Sequence, residues 1–383
     1  MKVIQVVKTN RGATWAYNQA NNLHEMGIDI VTVLPDDISG YAELYKKSGM
    51  RVIVGDWSLP VRKPWQIFSR IKEIKQIIEK EKPDIIHLHF VTNVLMTRIA
   101  LHRDRTLRLF QVPGPLHLEN PFFRFLDKIL STDVDYWAGA CEKTCSIYKE
   151  MGISDDRIFL AYYGTFKDEF CNLGSSNKLH SEYKLREDSP IVAMVSYFYK
   201  PKKYLGQKRG LKGHEDFIDA LKTVLKTHPE ITPMIIGNAW DGSEHYEHEV
   251  IQYAKQVIGD KVIFTGYRND IQEIYPEISI AVHPSHSENL GGAAESLAYA
   301  IPTISSNVGG FPDIVKPHKT GLLVDAKSPT ELADAIIWML EHNNEAKEMG
   351  KNGEKLVRDL LNVKTTSKVV LGIYREILCG DNN

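Results

Sequence analysis

Two glutamates, Glu288 and Glu295, stand on either side of a Gly-Gly pair in the stretch 283–324. Gly291 and Gly292 carry no side chain, so backbone N–H groups at that turn can come close to a ligand. A helix starting there adds unpaired donors and the positive end of its dipole, which together hold phosphate. Glu295, one turn into that helix, suits a vicinal diol such as a ribose, because a carboxylate can accept two hydrogen bonds at once. Glu288, before the turn, is placed to meet a sugar hydroxyl. The combination points to a nucleotide-sugar site. The pair is ill suited to cleaving a glycoside with water. A helix from Gly292 onward sets the carboxyls on the order of 10 Å apart at 1.5 Å per residue, whereas a retaining hydrolase needs roughly 5–5.5 Å.

Such a turn needs a scaffold, and the rest of the chain has the pattern of one. Its 383 residues suit two domains, and 43% hydrophobic with 25% charged residues is the composition of a globular protein. A formal net charge of -2 gives no global attraction to nucleic acid, and no nucleic-acid partner is expected. Cys141, Cys145, Cys171 and Cys379 have neither metal-ligand spacing nor the density of a disulfide scaffold. The opening apolar run, 3–7, is a strand's length and far short of a signal-peptide core. No stretch reaches the roughly 18 apolar residues of a membrane span. A cytoplasmic protein is expected.

Strand and helix patterns alternate. Strands are expected at 3–7, 29–34, 84–89, 107–112, 136–140 and 158–161, with helices at 14–26 and 64–82 between them. After a loop-like segment a second series begins at Pro190: strands at 191–195, 232–236, 261–264 and 279–282, and helices at 215–227 and 244–258. Alternation of this kind implies parallel, doubly wound sheets, with ligands beyond the carboxyl ends of the strands.

The glutamate motif also resembles that of a known family. Pro284-Ser285-His286-Ser287-Glu288, then Glu295-Ser296-Leu297-Ala298-Tyr299-Ala300-Ile301-Pro302, then Gly309-Gly310-Phe311-Pro312-Asp313-Ile314-Val315, is similar to the signature of glycosyltransferase family 4, the group 1 glycosyltransferases of GT-B architecture. Six residues separate the glutamates, one fewer than is usual in the family. From Glu295 to Pro302 the spacing is the family's, so the shortening lies in the loop after Glu288. The strand at 84–89, the turn at Gly164 and Lys212-Gly213-His214-Glu215 match in the same order, so the resemblance spans nearly the whole chain.

The resemblance implies an α/β GT-B fold: two Rossmann-like, doubly wound parallel-sheet domains facing a cleft. Residues 1–186 would form the acceptor domain and 187–365 the donor domain, with a helix at 366–378 returning to the first. The implied reaction is transfer of a hexose or N-acetylhexosamine, with retention, from a nucleoside diphosphate sugar to a hydroxyl of a glycan or lipid-linked glycan, in bacterial surface polysaccharide biosynthesis. Two other readings are a GT-B nucleotide-sugar epimerase and a non-catalytic two-lobed binding protein.

Lys212 is expected to meet the leaving diphosphate. Relatives pair this lysine with an arginine, but here Tyr197 aligns with that arginine and an insertion, 199–209, brings Lys200, Lys202, Lys203, Lys208 and Arg209. Arg209 is the candidate replacement because its planar fork grips two phosphate oxygens; the alternative is a solvated basic loop. Arg11 and Gly12, after the first strand, would face the diphosphate, and Arg268 would lie near the base. Similar enzymes set a histidine against the donor sugar where His117 stands; the alternative is a loop histidine satisfied by backbone. No metal and no cofactor is expected, because Lys212, the insertion and two glycine-rich helix starts can balance the diphosphate's charge. The helix at 64–82, with Arg70, Lys72, Lys75, Lys80 and Lys82, is either a peripheral contact with anionic lipid or a solvated face.

Overall fold

The computed structural model describes residues 1–10, 12–38, 40–61, 63–166, 177–202 and 206–380. The chain forms two compact units, one of Met1–Asp168 with Asp359–Asn383, the other of Glu169–Arg358.

The first unit is built on a seven-stranded parallel sheet in the order β3-β2-β1-β4-β5-β6-β7. Its strands are β1 (Lys2–Val6), β2 (Asp29–Leu34), β3 (Arg51–Val54), β4 (Ile85–Leu88), β5 (Leu107–Val112), β6 (Asp135–Gly139) and β7 (Ile158–Leu160). Alternate residues of β1 feed different cores, as the two-residue period of a strand requires. Val3 packs with Ala16, Ala20 and Leu23 of the helix Thr14–Glu25, and Ile4 and Val6 with Ile74 and Ile78 of the helix Ile67–Glu81. Strand β3 falls outside the expected strands. It is a four-residue edge strand, exposed at both ends, so no alternation betrays it.

The last helix runs Val363–Gly380 and packs on Thr14–Glu25 through Val370, Leu371 and Tyr374, which is why the chain's end lies in the first unit. The division between units comes at 168/169, not near 186. The short helix Lys178–Glu182 is tied into the second unit by Glu277, whose carboxylate accepts from the N–H groups of Lys178 at 2.5 Å, Leu179 at 3.0 Å and His180 at 3.2 Å. The orphan donors of that helix start are satisfied by a residue distant in sequence, which no local pattern reveals.

The second unit carries a six-stranded parallel sheet in the order β10-β9-β8-β11-β12-β13. Its strands are β8 (Ile191–Val195), β9 (Thr232–Ile236), β10 (Ile263–Gly266), β11 (Ile278–His283), β12 (Thr303–Ser306) and β13 (Leu322–Val324). Order reverses between β8 and β11. In open α/β sheets the crevice beyond such a reversal is where ligands bind.

One Asp-x-Asp triplet, Asp133-Val134-Asp135, bears on the expectation of metal independence and is passed over in it. The structure takes it out of contention. Asp135 is fully buried, bonded to Arg98 Nε at 2.9 Å and to Arg108 at 3.0 Å, while Asp133 pairs with Arg105 at 2.6 Å. Burial opposes ionisation of Asp135, but the two arginines outweigh it and hold the carboxyl below its ordinary range. Among the described residues no cluster of three His, Cys, Asp or Glu side chains could hold a metal ion, and no helix is long and apolar enough to cross a membrane.

Candidate functional site

The site candidates of the second unit gather at its sheet reversal. Beyond β8 the chain runs through Tyr197, Phe198 and Tyr199, pinned to the end of β9 by two backbone bonds: Phe198 N–H to Asn238 O and Trp240 N–H to Phe198 O, both 3.0 Å. The helix His214–Thr227 then begins behind Gly213, which has φ +77°. A Cβ at Gly213 would lie 2.1 Å from the Pro284 carbonyl oxygen, so only glycine lets the two loops close on each other. Beyond β11, Pro284 leads to Glu288. Gly309, at φ +53°, presses on that residue's carbonyl so closely that a Cβ would sit 1.6 Å from the oxygen.

These approaches bring Lys212 and Glu288 into an ion pair, with side chains 19% and 16% exposed. Glu288 also accepts from Asn289 N–H at 3.1 Å. The Lys212 ammonium lies 5.7 Å from the centre of the Tyr199 ring, close enough for a cation–π attraction. Tyr199 in turn stacks on Trp240 at 5.8 Å, and Tyr197 meets Trp240 edge-on at 5.1 Å. Tyr197 and Trp240 are 37% and 40% exposed. This aromatic shelf beside the lysine is absent from the sequence reading. Its signal was the cluster of Tyr197, Tyr199 and Trp240 at the ends of two neighbouring strands.

Gly291 and Gly292 open the helix Gly291–Ala298, as the motif predicts. Glu295 lies one turn inside it and keeps contact with solvent. Its carboxyl is crowded enough that desolvation raises its pKa above the ordinary range, against the Tyr275 hydroxyl and Lys212, which both lower it. Tyr275 donates to Glu295 at 3.3 Å and is itself held by stacking on Tyr299 at 4.9 Å. No local pattern points to Tyr275, which comes from a 3₁₀ turn before β11. Beneath the helix, His283 bonds Ser296 Oγ at 3.0 Å, and burial pushes the imidazole down to about 3, so it is neutral.

Two arginines expected at the ligand have other partners. Arg209 bonds Asp216 at 2.5 Å and Asp219 at 2.7 Å, and lies against the Tyr253 ring. Asp216 is further bonded to His286 at 2.5 Å. Two carboxylates one helical turn apart thus neutralise the guanidinium that was expected to grip a diphosphate. Arg268 is forked onto Asp270 at 2.6 and 2.8 Å and onto Glu182 at 2.7 and 2.8 Å. The neighbouring Tyr267, 63% exposed, offers a ligand more surface.

In the first unit Gly12, φ +70°, precedes the helix Thr14–Glu25; Arg11 lies outside the described residues. His117 ends a 3₁₀ turn and faces inward, its Nε2 4.0 Å from Asp127. Burial outweighs that carboxylate's pull and lowers the imidazole to about 4, so His117 is neutral. His89, at the end of β4, is fully buried, bonded to Gln5 at 2.9 Å and to the Tyr163 hydroxyl at 2.8 Å. It organises the interior.

The family described as Glycosyl transferases group 1 matches residues 177–356, and that described as Glycosyl transferase 4-like matches residues 2–111. The chain belongs to the group 1 glycosyltransferases. It is 24% identical over 208 residues to an N-acetyl-alpha-D-glucosaminyl L-malate synthase of Bacillus anthracis, covering 54% of this chain and 50% of that relative. It is 23% identical over 341 residues to a capsular polysaccharide biosynthesis glycosyltransferase, CapM, of Staphylococcus aureus, covering 84% of each. With several of the curated relatives it matches, the chain spans half their length or less. The Anabaena protein HepE in complex with UDP-glucose has the same fold, with a TM-score of 0.78 at 16% identity over 97% of this chain and 99% of that one. The two parallel-sheet units make this a GT-B glycosyltransferase fold.

For this group 1 member the neutralised state of Arg209 makes a definite expectation. Arg209→Ala should lower stability by roughly 1.5–3 kcal/mol, the usual worth of a hydrogen bond to a charged group, while donor affinity changes less than threefold. Urea unfolding and calorimetry check both. Intact stability with a large fall in turnover would return Arg209 to the diphosphate.

Proposed function

We propose that the chain is a retaining glycosyltransferase that moves a hexose or N-acetylhexosamine from a nucleoside diphosphate sugar to an acceptor hydroxyl, in assembly of a bacterial surface polysaccharide. The observation that carries this reading is the Lys212–Glu288 pair at the sheet reversal, within reach of the Glu295 helix start. A UDP-sugar donor is supported by the UDP-glucose held by the Anabaena neighbour, and the polysaccharide role by the S. aureus relative.

In this reading the arriving diphosphate draws Lys212 away from Glu288. The C1–oxygen bond to the diphosphate breaks, the acceptor oxygen bonds to C1, and the acceptor proton leaves with the diphosphate. Negative charge on the departing group grows through this step, so Lys212 binds the transition state more tightly than the ground state. Glu288, released, accepts from a donor sugar hydroxyl. Glu295 takes the ribose diol, the two helix-opening glycines leave N–H groups for phosphate, and the aromatic shelf offers an apolar face to a sugar ring. The acceptor binds the first unit, where His117, neutral and turned toward Asp127, shapes the loop.

Glu295 contacts the nucleoside equally before and during reaction, so its loss should weaken binding rather than chemistry. Glu295→Ala is expected to reduce affinity for the nucleoside diphosphate, UDP first, by about 10- to 150-fold, the equivalent of roughly 1.5–3 kcal/mol, with turnover at saturation nearly unchanged. Calorimetry in EDTA tests this together with metal independence. Unchanged affinity would remove Glu295 from the site, and binding that returns only with Mg²⁺ would overturn the metal-free reading.

A further inference from the structure

We propose that the helix Pro121–Ile129 of the first unit docks on an anionic lipid surface. The helix is amphipathic in the reverse of the usual sense. Its buried residue is the acid Asp127, which pairs with the buried Arg98 and accepts from Trp137 Nε1 at 3.2 Å. The opposite face carries Phe122, Phe125 and Ile129, exposed at 63%, 59% and 60%. Positions i, i+3 and i+7 make one stripe, and a globular protein ordinarily turns such a stripe inward. Here the polar anchor fixes the helix with the stripe outward. Pro121 at the first turn and the Asn120 side chain, which accepts from Phe122 N–H at 2.9 Å, hold the helix start without help from the apolar face.

The charges flanking the stripe on this helix are both basic, Arg124 and Lys128, and its one acid is the buried Asp127; Arg124 pairs loosely with Glu150 at 3.4 Å and Lys128 donates to the Met151 carbonyl, and both keep contact with solvent. A second apolar group surrounds the start of the helix Ile67–Glu81: Val61, Trp65 and Phe68, exposed at 75%, 70% and 80%, with Lys63 among them. That helix packs on Val91–Ala100, which packs on Pro121–Ile129. Aromatic residues among lysine and arginine suit the interface of an anionic membrane, where rings enter the headgroup region and cations meet phosphate. A second copy of the chain fits less well. A two-fold contact through this stripe would bring Arg124 and Lys128 near their own copies, and like charges set together across an interface oppose association. The lipid contact expected of the basic face at 64–82 therefore shifts to the apolar groups, which include Trp65 and Phe68 of that segment; Arg70 there pairs with Asp56 at 2.6 Å and is only 15% exposed.

Sedimentation of the full chain with vesicles tests the proposal and needs neither donor nor acceptor, so its failure leaves the transferase reading untouched. The chain should bind vesicles of phosphatidylglycerol and phosphatidylcholine, and bind phosphatidylcholine alone more weakly. Phe122→Ser with Phe125→Ser should reduce binding at least tenfold with an unchanged melting temperature, since the Asp127 anchor remains. A chain that stays in solution with the anionic vesicles overturns the proposal. So does a double variant that binds them as the parent does, or one whose vesicle binding is intact while a dimer in gel filtration is lost.

Discussion

Replacing Lys212 by alanine is expected to lower turnover at saturating donor and acceptor by about 10²- to 10³-fold, the usual effect of removing one donor from a developing oxyanion. Nucleotide affinity should fall less. Lys212 already pairs with Glu288, so a ground-state complex gains from it only the difference between two anionic partners. The transition state, with more charge on the diphosphate, gains more. Stability should change little, because both side chains keep some solvent and Glu288 retains the Asn289 N–H. Lys212→Arg should recover part of the rate. A variant within threefold of wild type in kcat would place the charge stabilisation at the Gly291 helix start instead.

Acid should destabilise the protein well before its carboxylates protonate. His87, His214 and His283 are held down to about 3 and His117 to about 4, in each case chiefly by burial. An unfolded histidine titrates near 6.5. Between about pH 6.5 and 4 the unfolded chain therefore binds protons that the folded chain refuses, and stability falls as pH falls, by about 1.4 kcal/mol per unit for each such histidine. His214 gives the clearest test. It stacks on Phe198 at 4.1 Å, and neither ring nitrogen has a hydrogen-bond partner among the described residues. His214→Phe keeps the stack, so it should stabilise the protein by roughly 1–3 kcal/mol at pH 7.5, the cost of an unsatisfied buried polar group, and lessen the acid slope by one such increment. Urea unfolding at pH 7.5 and 5.5 measures both. An unchanged slope would mean that His214 carries its proton in the folded state too.

The parallel strands were legible because those buried on both faces are short apolar runs with polar ends, and the strands at 29–34, 107–112, 191–195 and 232–236 match their expected limits. The glutamate motif was legible because its chemistry is local: two glycines, a helix start and a carboxylate one turn on. What stayed hidden was partnership. That Lys212 meets Glu288, that Tyr275 holds Glu295, and that the first unit ends before the helix Lys178–Glu182 all depend on residues far apart in sequence. Arg209 is instructive for a different reason. Asp216 and Asp219 stand three apart at the start of a helix just after it, a spacing that puts both carboxylates on one face. The sequence did contain that sink for its charge.

The closeness of Gly213 to Pro284 and of Gly309 to Glu288 reaches beyond the local fit. Two backbones are pressed together on each side of the segment that carries Glu288, so the glutamate's position is set by places where no side chain exists. In a survey of random substitutions these two silent positions would score as harshly as Lys212, and activity alone would class all three as catalytic. Only the pattern of tolerated replacements separates them. Lysine's role can be partly imitated by another cation, whereas at the glycines even a methyl group is already too much, whatever its chemistry.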